Sequence, residues 1–219
     1  MQLSRLSRQE ILDLERFQRT TFVNGLSGFK SVCLVGTTSP EGQYNLSIIS
    51  SVIHVGANPP FMGMLLRPHT VPRHTLENIL ASNAFTLNHV REEFYPAAHQ
   101  TAARYEREQS EFEATGLTPV ISEGLLAPYV GESHIRIGLS LAERHDLLNG
   151  TVFIVGAVEE VFYPEEARGA DGYLDLQKAG TITLATLDAY HKTEKLSRMA
   201  YAKPDLPPRR IHWDGSKLD

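Results

Sequence analysis

Tyr44-Asn45-Leu46-Ser47-Ile48-Ile49-Ser50-Ser51, then Asn58-Pro59-Pro60, the apolar run Phe61–Leu66, Arg67 and finally Arg73-His74-Thr75 form the stretch that decides how this chain is read. The first segment is rich in β-branched residues and reads as a strand over 44–55. Asn58-Pro59-Pro60 excludes helix and ends that strand, because proline lacks an N–H and restricts the residue before it. Phe61–Leu66 is apolar throughout, as in a strand buried on both faces. Arg73-His74-Thr75 opens a short helix over about 73–82, with Leu76, Ile79 and Leu80 on one face. Small hydroxyl residues on one strand, beside cations at the end of its neighbour, make a shallow shelf with an anion clamp at one end. A flat, polar-edged ring with a phosphate tail fits such a shelf. Ser47, Ser50 and Ser51 are equally compatible with solvent-facing strand positions, and Arg67 with a strand end on the surface. The grouping of these residue types across consecutive elements is what favours a site.

Upstream, Ser7-Arg8-Gln9-Glu10 has the form of a capping box and predicts a helix over 8–20 that covers one end of a sheet. Residues 31–38 are β-prone, and Ser39-Pro40-Glu41-Gly42 is a turn in which proline presets φ and glycine accepts positive φ. Downstream, Phe85–Val90 reads as a strand, and 91–116 as a polar helical excursion ending at Thr115-Gly116. Ile135, Ile137, Leu139 and Leu141 alternate with Arg136, Gly138, Ser140 and Ala142, a period of two with one face inward. Asn149-Gly150 predicts a type I′ hairpin turn into Thr151–Phe162, and Thr181–Leu187 is the last strand. The tail after Lys203, with Pro204, Pro207 and Pro208, reads as extended and suited to packing on a partner subunit. Hairpin-like order with few intervening helices favours a closed antiparallel barrel with helical insertions over a doubly wound sheet.

The 219 residues suit one domain with short appendages: a helical segment over 1–24, the barrel over 25–203 and the tail over 204–219. A net charge of −5 removes the electrostatic reason to expect nucleic acid, since a phosphate-tracking surface is basic. Cys33 is the only cysteine, so disulfides within the chain and CxxC chemistry are excluded, and its apolar neighbours predict a buried, inert thiol. The N-terminus lacks the apolar core of a signal peptide, and no window reaches the ~18 apolar residues of a membrane span. A soluble, cytoplasmic setting with no membrane partner is expected. GxGxxG, GxxxxGK[ST], HExxH and GxSxG are all absent. The pairs His89/Glu92, Glu143/His145 and His191/Glu194 lack a third ligand, so no metal site is expected.

Taken together, these pieces resemble the flavin reductase-like proteins of the FMN-binding split barrel. The likeness is carried by Thr37–Asn45, Ser50-Ser51, Asn58-Pro59-Pro60, Arg73–Ile79, Phe85–Asn88 and Ser110–Pro119, in that order, and covers about residues 25–200. It implies a mainly β fold, a six-stranded antiparallel split β-barrel, forming a homodimer with FMN near the subunit interface. It also implies an oxidoreductase that uses NADH or NADPH as electron donor and passes hydride through the flavin. By position, Asn45, Ser47, Ser50 and Ser51 would face the isoalloxazine edge, Arg67, Arg73, His74 and Thr75 would hold the phosphate, and Asn88 and His89 would approach the flavin from the fourth strand. Nothing in this scheme calls for a protein acid, base or nucleophile. Two departures stand out. Arg73-His74 replaces the family's usual lysine-aspartate pair, and Leu196–Tyr201 stands where a glycine pair is expected near the second substrate. A non-catalytic flavin-binding split barrel (carrier, sensor or partner subunit) and a pyridoxamine-phosphate-oxidase-like enzyme share the same barrel and cofactor.

Overall fold

The computed structural model describes residues 1–68 and 73–218. Residues 69–72, inside the decisive stretch, lie outside that description. Two short helices come first, α1 (Arg8–Asp13) and α2 (Arg16–Gly25). Ser7 and Glu10 form the expected capping box. The single helix expected over 8–20 is broken because Glu15 caps a second helix, its carboxylate accepting from the N–H groups of Phe17 and Gln18. Neither helix buries a residue, so they do not cover the sheet end as expected.

A minimal strand β1 (Lys30–Ser31) leads into β2 (Cys33–Thr38), β3 (Tyr44–Ile49), β4 (Val52–Ala57) and β5 (Pro60–Leu66). Helix α3 (His74–Ser82) and β6 (Ala84–His89) follow. The excursion contains α4 (Tyr95–Gln100) and α5 (Glu111–Thr115), and ends in a hairpin of β7 (Pro119–Ser122) and β8 (Leu125–Val130). Two long strands, β9 (Arg136–Asp146) and β10 (Val152–Phe162), complete the main sheet. The turn between them is not type I′, because Gly150 has φ 79° while Asn149 is not among the positive-φ residues. Asn149 instead accepts the Thr151 N–H through its side chain, and Leu147 accepts from Gly150. Short strands β11 (Thr183–Ala185), β12 (Ala189–His191), β13 (Arg198–Met199) and β14 (Arg210–Ile211) close the chain. The tail turns back on its own chain rather than extending. Arg210 and Ile211 pair with Met199 and Arg198, the Trp213 carbonyl accepts from the Arg198 guanidinium at 2.6 Å, and Lys195 sits over the Trp213 ring.

The main sheet has seven antiparallel strands in the order β3-β2-β6-β9-β10-β5-β4, one more than the expected six. The extra strand arises where 44–55 splits at Ser50-Ser51. That split defines the architecture. β3 and β4 are the two outer edges of the sheet, yet only Ser50 and Ser51 connect them. Three Cα steps from Ile49 to Val52 span at most about 11 Å, so the sheet must curl until its edges nearly meet. The product is a barrel with an unpaired seam between β3 and β4.

Alternation along the strands then sorts the side chains. Cys33, Val35, Phe85, Leu87, Ile137, Leu139, Val152, Ile154, Met64 and Leu66 point inward and fill the barrel. Val32, Leu34 and Leu46 point outward into a second core with Phe94, Phe112, Ile182 and Leu184. β2 is therefore buried on both faces, as its apolar run Cys33–Val35 reflects, and its one fully buried hydroxyl, Thr37, accepts from Asn78.

Candidate functional site

Asn45 and Ser47 lie opposite Thr37 and Val35 of β2, on the inward face of the edge strand β3. Helix α3 plugs this end of the barrel, with Leu76 and Ile79 in the core and Thr75 and Asn78 turned towards β2 and β3. The plug is held by polar contacts. Asn45 Nδ2 donates to Thr75 Oγ1 at 3.0 Å, Ser47 Oγ lies 2.8 Å from the same oxygen, and Asn78 Nδ2 donates to Thr37 Oγ1 at 3.1 Å. The structure thus brings Asn45, Ser47 and Thr75 into one cluster, with His74 and Arg73 at the helix start beside it.

Among the described residues no side chain caps the first turn of α3. Arg73 donates its backbone N–H to Glu77 Oε1 at 3.2 Å and its Nε to the Pro68 carbonyl at 3.4 Å. Partial burial, then repulsion from Arg67 and Arg104, hold the Arg73 pKa below its usual value, and the guanidinium stays a cation. Among the described residues, no carboxylate forms an ion pair with Arg67, Arg73 or Arg104. Three like charges with no ion-paired carboxylate among the described residues, beside the first turn of a helix, fit an anionic group. Burial, with Arg107 adding to it, lowers the His74 pKa, while Glu106 and Glu108 oppose the shift.

The two remaining groups sit differently. Ser51 Oγ donates to the Leu65 carbonyl at 2.8 Å and accepts the Leu65 N–H at 3.2 Å, so it extends the β4–β5 pairing across the seam connection. Ser50 is half-buried in the bend beside it. On β6, the Asn88 amide is fully engaged by the Leu34 carbonyl, Thr86 Oγ1 and the Val130 N–H. His89 places Nδ1 3.1 Å from Thr181 Oγ1, and burial pushes its imidazole down to about 4. Asn88 and His89 thus bond to groups outside the Asn45–Ser47–Thr75 cluster, and Asn88 has an internal structural role. Cys33 is 1% exposed with its thiol pushed up to about 12 by burial, as its apolar neighbours predict. Among the described residues no group of three or more potential metal ligands occurs, and no helix is long and apolar enough to cross a membrane.

Sequence reasoning missed the small polar pocket that shares Asn45 with the cluster and is lined also by Ser39, His74, Asn78, Arg107 and Glu111. Asn78 is 1% exposed, and its Oδ1 is buried there with no hydrogen-bond partner among the described residues. Arg107 pairs with Glu77. Only the spacing of Asn78 after His74 and Thr75, one helical turn on, signalled any of this.

The Flavin reductase like domain family profile matches residues 26–184, most of the chain, and the chain belongs to that family. An uncharacterized protein of Aquifex aeolicus (strain VF5) is 30% identical over 121 residues, which are 54% of this chain and 62% of that protein. The chain thus spans less than two thirds of that relative. The crystal structure of a protein described as a flavin reductase with split barrel domain, from Shewanella frigidimarina NCIMB 400, is 47% identical. Its TM-score is 0.88, with 91% of this chain and 100% of the other covered. Nitrilotriacetate monooxygenase component B from Bacillus cereus shares the fold at 21% identity and a TM-score of 0.79, covering 90% and 98%.

Proposed function

We propose that this chain is an FMN-binding oxidoreductase that reduces flavin at the expense of NADH or NADPH. The observation that carries the reading is the Arg67/Arg73/Arg104 group, which has no ion-paired carboxylate among the described residues, beside the first turn of α3 and next to the polar edge of β3 at the barrel seam. Family membership and the 47% identical Shewanella protein support it. Arg73, Arg67 and the α3 amides would hold the phosphate by charge and N–H donation. Ser47, Ser50 and the backbone of the β3 edge beyond Leu46, whose N–H is taken by Glu111, would line the ring. When bound, the isoalloxazine supplies the redox chemistry itself. The chain's own task is binding, orientation and a fixed set of donors, which agrees with the inert Cys33 and the neutral, enclosed His89.

The seam needs a cover. Ile53 and Val55 of the edge strand β4 are 51% and 43% exposed, and Phe17 and Phe29 near the N-terminus are 71% and 69% exposed. Exposed apolar residues on an unpaired edge favour pairing with a second copy. Light scattering should therefore return twice the 24.4 kDa chain mass, and a monomer at micromolar concentration would remove the dimer from the account.

Turnover is tested by mixing the protein with FMN and NADH or NADPH and following loss of the reduced nicotinamide. Oxidation that depends on both protein and flavin is expected. Flavin binding without any oxidation of either nicotinamide would leave a carrier or partner subunit in place of a reductase.

A further inference from the structure

Glu111 is a carboxylate that neither the core nor the proposed cofactor site accounts for. It is 8% exposed, and its position on α5 is set by the packing of its neighbour Phe112 in the outer core. Its Oε2 accepts the backbone N–H of Leu46 at 2.9 Å. Leu46 lies opposite Gly36 in the β2–β3 ladder, and β3 is an edge strand, so this N–H points away from the sheet with no strand to receive it. Leu46 also stands between Asn45 and Ser47, the two residues tied to Thr75. One carboxylate oxygen therefore grips the centre of the segment whose inward side chains form the polar cluster.

We propose that Glu111 is a positioning residue: it fixes the free edge of β3 from outside, so that Asn45 and Ser47 meet Thr75 and the seam keeps the shape that receives the flavin ring. This inference rests on the proposed FMN site. Other carboxylates on the excursion, such as Glu106, Glu108 and Glu113, lack such a bond to β3 among those described. The pocket beside Glu111 brings His74 from α3 and Arg107 from the excursion to the same place, and Arg107 is already paired with Glu77. Glu111 thus has Leu46 as its strand partner, with these two groups as its titratable and charged neighbours. Burial raises the Glu111 pKa, opposed by the bond from Leu46, and a carboxylate kept here against that cost has a positional role.

The roles separate through two variants. Glu111→Gln keeps an acceptor oxygen of the same reach, whereas Glu111→Leu keeps bulk and removes the acceptor. Binding of FMN and of riboflavin is measured by quenching of flavin fluorescence, and hydrogen exchange is followed in the peptide covering residues 44–49. Glu111→Leu should weaken both flavins by about tenfold, because the defect lies on the ring side, and should speed exchange in 44–49. Glu111→Gln should stay within about threefold of wild type with β3 protected. A folded Glu111→Leu with wild-type affinities overturns the proposal, as does a Gln variant that loses as much as Leu. If the Leu variant does not fold, the Gln variant decides alone by the same limits. Absence of flavin binding in the wild type overturns the cofactor reading, and the exchange comparison then still shows whether Glu111 holds β3.

Discussion

Arg73 shows how one side chain can be read for chemistry before any ligand is seen. A guanidinium beside two others is unfavourable unless something anionic balances it; among the described residues the nearby Glu77 carboxylate takes the Arg73 backbone N–H and pairs with Arg107, and no carboxylate is ion-paired with Arg67, Arg73 or Arg104. Arg67 and Arg73 were legible as cations at the end of a strand and the start of a helix. The third, Arg104, was not, because it arrives from a charged excursion that reads as a solvated surface. Asn88 illustrates the opposite outcome: a polar residue at a plausible distance in sequence turns out to be a strut between β2, β6 and β8. His89 carries a prediction of its own. Its folded pKa, about 4, lies below the ordinary 6.5, so its contribution to stability is present above about 6.5 and is lost as pH falls towards 4. The shift corresponds to at most about 3 kcal/mol. Thermal unfolding should therefore drop more steeply between neutral pH and pH 4 in wild type than in His89→Gln. Parallel curves for the two proteins would show that the imidazole titrates freely.

Among the elements, β2 has the narrowest tolerance. A Cβ at Gly36 would sit 2.0 Å from the Pro128 carbonyl oxygen and 2.6 Å from Thr86 Oγ1, because β8 crosses over β2 and β6 there. Backbone cannot yield as a flexible side chain can. Gly36→Ala should cost about 3 kcal/mol and lower the melting temperature by roughly 6–12 °C. An unchanged melting temperature would mean that β8 does not lie against this face. Strands with a clear period or run, such as β2, β5, β6, β9 and β10, were legible because burial on one or both faces imposes that pattern. The helix break at Glu15 and the strand break at Ser50-Ser51 were not. Each depends on one side chain satisfying backbone groups, which leaves hydrophobic periodicity unchanged. The Asn149-Gly150 turn was found in place but with another geometry, since the Asn149 side chain substitutes for one backbone bond.

At the scale of the molecule, barrel closure follows from two residues bridging opposite sheet edges, and the seam they leave is where a ligand and a second copy both have reason to sit. The family and its barrel were legible from six ordered pieces of sequence, and the family profile over 26–184 agrees with them. The inner arrangement of the site was legible only in part. Asn45, Ser47 and Thr75 meet, but the pocket of Asn78, Arg107 and Glu111 is assembled from elements far apart in the chain and leaves no local motif. The central claim is that this seam, clamped by Arg73, binds FMN through both ring and phosphate. Its most direct test is titration of FMN and riboflavin into wild type and Arg73→Ala, read by fluorescence quenching and melting temperature. The account predicts saturable quenching by FMN with stabilisation of several degrees at a hundredfold excess over Kd, and a loss in Arg73→Ala that is at least tenfold for FMN and small for riboflavin. Wild-type protein that neither quenches nor gains stability with FMN, or a variant that loses both flavins equally, would contradict it.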